Sequence, residues 1–182
     1  MPLPLKTERL LIKPLTMADL DDYAEIIADP EVQTWLNEGR PRDRNYASDY
    51  LSNLVNIQKE YGFSRYGVFD VLSEKLMGHC GFKDLEGRTD IGWTLARHAW
   101  GKGIGTEAAR AVVAYGFLEL GFNEISARAF EVNTASIGIM KNVGMTFDKT
   151  IPWEWDEDEY PVLSKHELHQ YKITRSDHMS RR

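Results

Sequence analysis

The chain has 182 residues, 42% of them hydrophobic and 11% aromatic, which suits one globular domain with a sizeable core and excludes a disordered chain. A formal net charge of −6 is the wrong sign for a general nucleic-acid binder, and any anionic ligand would need a local device to overcome that field. The single cysteine, Cys80, allows no internal disulfide, and neither the charged start "MPLPLKTERLLIKPL" nor any later run reads as a signal core or a membrane span, so a cytoplasmic protein with no membrane and no nucleic-acid partner is expected.

In chain order, residues 9–15 predict a short strand. Thr16 or Asp19 can cap a helix through "LDDYAEIIAD" that stops at Pro30, and "PEVQTWL" can add a short turn. Residues 41–62 predict a second helix, with Pro41 near its start, Gly62 after its end, and a stripe of Tyr46, Tyr50, Leu51, Leu54 and Ile57 at spacings of three and four. Three meandering strands follow at 65–72, 75–85 and 88–96, the first two joined by a two-residue turn at Ser73-Glu74. A helix then runs to about Leu120, burying Ala109, Val112, Val113, Gly116 and Phe117 and ending at Gly121. Residues 122–131 predict a strand, and 133–144 a short helix between an Asn133 cap and Gly144. Two closing strands flank the acidic turn "WEWDEDEY", and residues 174–182 read as a flexible tail. This order predicts a single mixed α/β domain over residues 1–173, with an antiparallel front half and one strand–helix–strand crossover behind it.

The stretch "AWGKGIGTEAAR" places Gly101, Gly103 and Gly105 at alternate positions where a helix is about to begin. A helix start has unpaired N–H groups and partial positive charge, and bare glycine backbone lets phosphate oxygens come close. Two readings stand side by side: a flexible connection, or a pyrophosphate cradle with Lys102 supplying local positive charge. The P-loop pattern is absent, and the dinucleotide fingerprint fails because the third glycine comes one residue early.

With "DIGWTLARHA" before it and "NTASIGIMKNVGM" after it, "WGKGIGTEA" resembles the acetyl-CoA loop of the GNAT acetyltransferase superfamily, and most of all its RimJ/RimL-like branch. Gly103 and Gly105 match the last two fixed positions of that loop, and Trp100 stands where other branches carry Gln or Arg. The opening "TERLLIKPLTMADLDDYAEIIADPEV" is similar to the first strand and helix of that branch, so the likeness covers roughly residues 6–170. It implies a GNAT fold with a mixed, mostly antiparallel sheet of about six to seven strands and about four flanking helices. It also implies acetyl-CoA as cosubstrate. The amides of Gly101, Lys102, Gly103, Ile104, Gly105 and Thr106 would hold its pyrophosphate. The strand edge at Trp93, Thr94, Leu95 and Ala96 would pair with the pantetheine arm, with Asn133 facing that arm.

Acetyl transfer to an amine requires removal of a proton, stabilisation of an oxyanion and departure of a thiolate. Asp90, where the branch carries Glu before "IGYW", is the expected base; its ordinary pKa of ~3.9 demands a site that raises it or a relaying water. The competing reading is a polar residue on a solvent-facing strand, and Glu131 and Glu86 are the backups. Ser136, in the first turn of the short helix, would donate to the CoA sulfur or serve only as a cap. Where many members carry a Tyr acid four residues later, this chain has Met140. Cys80 reads as a small buried residue, and no histidine spacing, including His166 with His169, reads as a metal site.

The acceptor side is expected to involve Trp35 and Tyr46, with Trp153 and Trp155 in an acidic lip that attracts a cationic amine, a protein N-terminus or a small molecule. The competing readings are core aromatics and a solvated charged loop. A non-catalytic CoA-binding module and a transferase of longer acyl groups are the alternatives to an N-acetyltransferase. Either a monomer or a homodimer is compatible with the sequence.

Overall fold

The computed structural model describes residues 3–36, 39–85, 87–152, 160 and 162–180. Its elements follow the chain as β1 (Leu5–Lys6), β2 (Leu10–Pro14), α1 (Leu20–Ala28), α2 (Pro30–Gln33), α3 (Arg44–Tyr61), β3 (Arg65–Asp70), β4 (Leu76–Leu85), β5 (Arg88–Leu95), α4 (Ile104–Leu118), β6 (Glu124–Phe130), α5 (Thr134–Asn142), β7 (Thr146–Ile151), β8 (Leu168–Thr174) and α6 (Arg175–Ser180). The strands form one eight-stranded sheet in the order β1-β2-β3-β4-β5-β6-β8-β7. Every neighbouring pair is antiparallel except β5 and β6, which are joined by the α4 crossover.

Side-chain alternation divides the core between the two faces of this sheet. One face buries Tyr66, Val68, Phe82, Ile91 and Ile125 against Val112, Val113 and Phe117 of α4 and Met140 of α5. The other buries Phe69 and Leu76 against Tyr23, Ile26 and Ile27 of α1 and Leu51 and Leu54 of α3. The stripe predicted on residues 41–62 is therefore real: Leu51 and Leu54 are fully covered, while Tyr46 and Tyr50 pack at the margin of that core. Capping explains the helix ends. Asp43 accepts from the Tyr46 amide at the start of α3, and Gly62 closes it at φ 76°.

Several boundaries differ from the sequence reading. Thr16, not Asp19, is the working cap, and it starts a short 3-10 turn (Met17–Asp19) that leads into α1. "PEVQ" becomes α2, with Asp29 accepting from the Glu31 amide and Pro30 in its first turn. The β3–β4 connection is wider than Ser73-Glu74, because Asp70 Oδ1 accepts from the amides of Leu72 and Ser73 and from the Ser73 hydroxyl. The expected tail carries α6 instead of starting as coil. Asp177 Oδ2 accepts from the amide and hydroxyl of Thr174, and the Asp177 amide returns a bond to that hydroxyl, a reciprocal cap.

Gly78 lies where β4 meets the bend of β5. It adopts φ +133°, and a Cβ there would sit 2.1 Å from the Thr94 carbonyl oxygen and 2.8 Å from the Leu95 Cα. Backbone atoms cannot step aside as a flexible side chain can. Gly78→Ala is expected to lower stability by about 2–4 kcal/mol, read as a shifted urea midpoint at unchanged slope. A loss under about 1 kcal/mol would show that the two strands separate freely at this point.

Candidate active site

β5 and β6 run parallel but pair at one position, Asp90 opposite Ser126. Beyond it the strands diverge, and the edge of β5 from Ile91 onward has no strand beside it. The gap opens into a continuous cleft of about 870 Å³ that extends from the start of α4 and α5 on one side to α1 and α3 on the other.

The glycine loop forms the first end. Gly101 and Gly103 adopt φ +70° and +75°, a left-handed conformation that glycine takes without strain. Gly103 is the N-cap of α4 and provides no side-chain cap, so the first amides of that fifteen-residue helix point outward unpaired. A Cβ on Gly101 would meet nothing within 4 Å, so the loop backbone is open to a ligand. The loop is braced from behind: the Arg9 guanidinium donates to the Lys102 carbonyl at 2.8 Å, and Arg9 and Thr7 both bond Glu107. Burial acts to raise the Glu107 carboxyl, but the bonds from Thr7 and Arg9 outweigh it and hold it below the usual range. Gly105 has a different task from its two neighbours. A Cβ there would lie 2.6 Å from Ile139 Cδ1, so its small size lets α4 pack on α5. This cradle fits a pyrophosphate by its open backbone donors and the positive end of α4, not by a free side-chain cation.

Along the β5 edge, Trp93, Thr94 and Leu95 line the cleft and Ala96 does not. The Ala96 amide donates to the Met77 carbonyl at 2.9 Å, and its side chain is buried with α1 and α3. The Leu95 carbonyl is also occupied, by the Trp100 indole N–H at 2.8 Å. Trp100 thus ties the loop to the strand, a role that its place in the motif did not disclose. Lys102, expected to supply charge to the loop, is not among the residues lining the cleft, and its carbonyl accepts from Arg9. Across the gap, Asn133 accepts from the Ser136 amide at 3.1 Å and caps α5, which turns Ser136 and the buried Met140 toward the cleft.

Asp90 is not a solvent-facing residue. Only 5% of it is exposed, and its Oδ2 has no hydrogen-bond partner among the described residues; the Arg128 Nε lies 3.5 Å away as an ion pair. Burial pushes its carboxyl above the ordinary range, and Arg65, Arg128 and Lys83 pull it back without cancelling that effect. Lys83 pairs with Asp90, Arg65 with Gly81, and Gly81 with Gly92. Period-two alternation therefore sets Arg65, Lys83, Asp90, Gly92 and Arg128 on the face turned to α1 and α3. The opposite wall is an aromatic ladder in which Tyr46 stacks on Tyr50 at 6.2 Å and Tyr50 on Tyr23 at 5.7 Å. Tyr23 shares a 3.2 Å hydrogen bond with His79 Nδ1.

Other expected residues fall elsewhere. Trp35 lines the cleft but also packs on Phe130 and on the edge of His166. Glu131 faces His166 at 3.1 Å instead of the cleft, so it is no substitute for Asp90. Glu86, Trp153 and Trp155 lie outside the described residues. His166 follows a 3-10 turn and is not on a strand. The Cys80 thiol is fully buried and pushed up to about 12, which makes it inert. No group of three potential metal ligands occurs among the described residues.

A family model described as an acetyltransferase (GNAT) domain matches residues 9–146. The chain belongs to the GNAT acetyltransferase family. Among its GNAT relatives, an uncharacterized N-acetyltransferase, p20, of Bacillus licheniformis is 31% identical over 76% of this chain and 80% of its own. The FsC-acetyl coenzyme A-N(2)-transacetylase of Aspergillus fumigatus is 28% identical over 95% of this chain and 77% of its own. A solved RimL ribosomal-protein α-N-acetyltransferase in complex with coenzyme A superposes with a TM-score of 0.80 at 13% identity, over 94% of this chain and 97% of the other, a likeness of GNAT fold.

His79 gives this GNAT cleft a pH signature. Burial, and secondarily the Arg65 charge, hold its imidazole well below the ordinary range, so it stays neutral. As pH falls through about 6.5, an unfolded histidine takes up a proton that folded His79 refuses, so the unfolded state gains and stability drops. The melting temperature is expected to fall between about pH 7.5 and 5.5, with a shallower slope in His79→Gln. Parallel slopes for the two proteins would assign the effect to other groups.

Proposed function

We propose that the protein is an acetyl-CoA-dependent N-acetyltransferase that transfers the acetyl group to a primary amine by direct attack in a ternary complex. The observation that carries this reading is the buried Asp90 oxygen without a hydrogen bond, on the wall of the same cleft whose other end is the open glycine loop. The thioester supplies an activated carbonyl carbon. The amine nitrogen forms its C–N bond there as the C–S bond breaks, and the nitrogen proton passes to Asp90, directly or through one water. Ser136, turned into the cleft by the Asn133 cap, is the donor for the departing thiolate; buried Met140 has no proton to give. The unpaired edge of β5 at Trp93 and Thr94 suits the pantetheine amides. The loop with Trp100 at its head and the "TDIGW" strand favour the RimJ/RimL-like branch. The acetyltransferase domain is read over residues 1–173, with α6 (Arg175–Ser180) packed onto its end.

Asp90→Asn is expected to lower kcat by about 10²- to 10⁴-fold, measured by thiol release. In the wild type the rate should rise with pH through a limb above the usual carboxylate range, because the base works deprotonated and burial raises it. That limb should vanish in the variant while acetyl-CoA still binds. An unchanged rate and profile would remove Asp90 from the mechanism.

The loop is tested by a charge. Gly101→Asp and Gly101→Asn both tolerate a left-handed backbone, but only the first sets a carboxylate against the pyrophosphate. Calorimetry should show CoA affinity reduced about tenfold or more in the Asp variant relative to the Asn variant. Equal affinities would dissociate the loop from the donor. Tight CoA binding with no turnover of any amine would favour the binding-module reading.

A further inference from the structure

The inner wall of the cleft holds more positive charge than a site for a bare amine requires. Arg65, Lys83 and Arg128 meet there with one carboxylate, Asp90, in a chain whose net charge is −6. At the rim, Glu31 is already held by Arg97, so it does not redress the balance. Arg128 has its ion partner in Asp90. The Arg65 guanidinium makes no hydrogen bond or ion pair with another described residue, although Arg65 is half-buried in the cleft wall.

The position of Arg65 is built. Its guanidinium lies close against Gly92, where a Cβ would sit 2.1 Å from Nη1 and 2.7 Å from Nη2. Gly92 is two residues from Asp90 on the same face, so the guanidinium sits over the next same-face position of β5, one strand repeat of roughly 7 Å from the backbone position of Asp90. The cations also act on one another: desolvation, and then Arg65, lower the Lys83 ammonium below its ordinary value even though the residue still reaches solvent, and a bound anion would offset that repulsion.

We propose that the acceptor of this transferase carries an anionic oxygen group, carboxylate or phosphate, close to its amine, and that Arg65 binds that group while the amine faces Asp90. The proposal rests on the N-acetyltransferase reading and names its substrate class. A planar fork of N–H donors is the side chain suited to such oxygens. A spacing of about one strand repeat accommodates one hydrogen bond of about 2.8 Å at each end and the few bonds between an amine and its neighbouring acid group. The tyrosine ladder opposite removes water and strengthens both contacts. A polyamine, by contrast, would meet uncompensated cations. An ordinary protein N-terminus offers Arg65 only a neutral carbonyl.

The test is a matched acceptor panel with the full chain and acetyl-CoA, followed by thiol release. The panel contains free amino acids against their carboxamides, aminoalkyl phosphates against the corresponding amino alcohols, and N-terminal peptides and polyamines. The anionic member of a pair is expected to exceed its neutral partner in kcat/KM by about tenfold or more; which pair shows the gap separates carboxylate from phosphate. Arg65→Met should bring that ratio toward one through acceptor KM, with the KM for acetyl-CoA unchanged, and Arg65→Lys should restore part of it. If the Met variant does not fold, Gly92→Ala, which displaces the flexible guanidinium, should have the same effect. Amines acetylated without regard to charge, or peptides and polyamines preferred, would overturn this proposal alone. No turnover of any amine would overturn the N-acetyltransferase reading and this proposal with it.

Discussion

One ladder position, Asp90 opposite Ser126, joins the two halves of the sheet, and the cleft exists because pairing stops there. A continuous β5–β6 ladder would satisfy the backbone of β5 and leave no room for a ligand. Early divergence leaves that edge free and puts the last paired residue at the apex of the gap. Asp90 is therefore buried by the sheet that it closes, and burial is what changes its chemistry from a surface carboxylate to one with raised proton affinity. Position and reactivity have one origin.

The two ends of the cleft handle charge by different means. The glycine-loop end uses backbone: left-handed glycines and an uncapped helix start expose N–H groups, with Arg9 bracing them from behind. The inner end uses side chains from three successive strands and from β6, brought to one face by register. Both ends are locally positive in an acidic protein. The global field therefore says little about what the cleft attracts, because focusing inside a low-dielectric crevice outweighs distant surface charge.

Much of the architecture was legible because the signals were local. The glycine-ended helices, the 41–62 stripe and the Asn133 cap each depend on residues within a few positions of one another, and each lies where the sequence placed it. The turn at Pro30–Gln33 was legible as well, but α6 escaped, because it is started by a single reciprocal cap, Thr174 with Asp177, on a segment with no apolar periodicity. Arg65, Lys83 and Arg128 were missed because each alone reads as an ordinary charged strand residue. Their meeting requires strand register across a parallel junction, which no single segment encodes. Gly105 and Gly103 look alike in the motif, yet one makes room for Ile139 and the other bends the backbone; only packing separates them.

The brace behind the glycine loop ties residues 7 and 9 to residues 102 and 107 across more than half of the chain. The loop's own glycines favour no single shape, so its shape is fixed from outside, by the turn between β1 and β2. A loop held in this way depends on contacts far apart in sequence, so its shape is set only once the N-terminal turn has docked. On the proposed reading, competence to hold acetyl-CoA would come with that docking and not with the glycine motif alone.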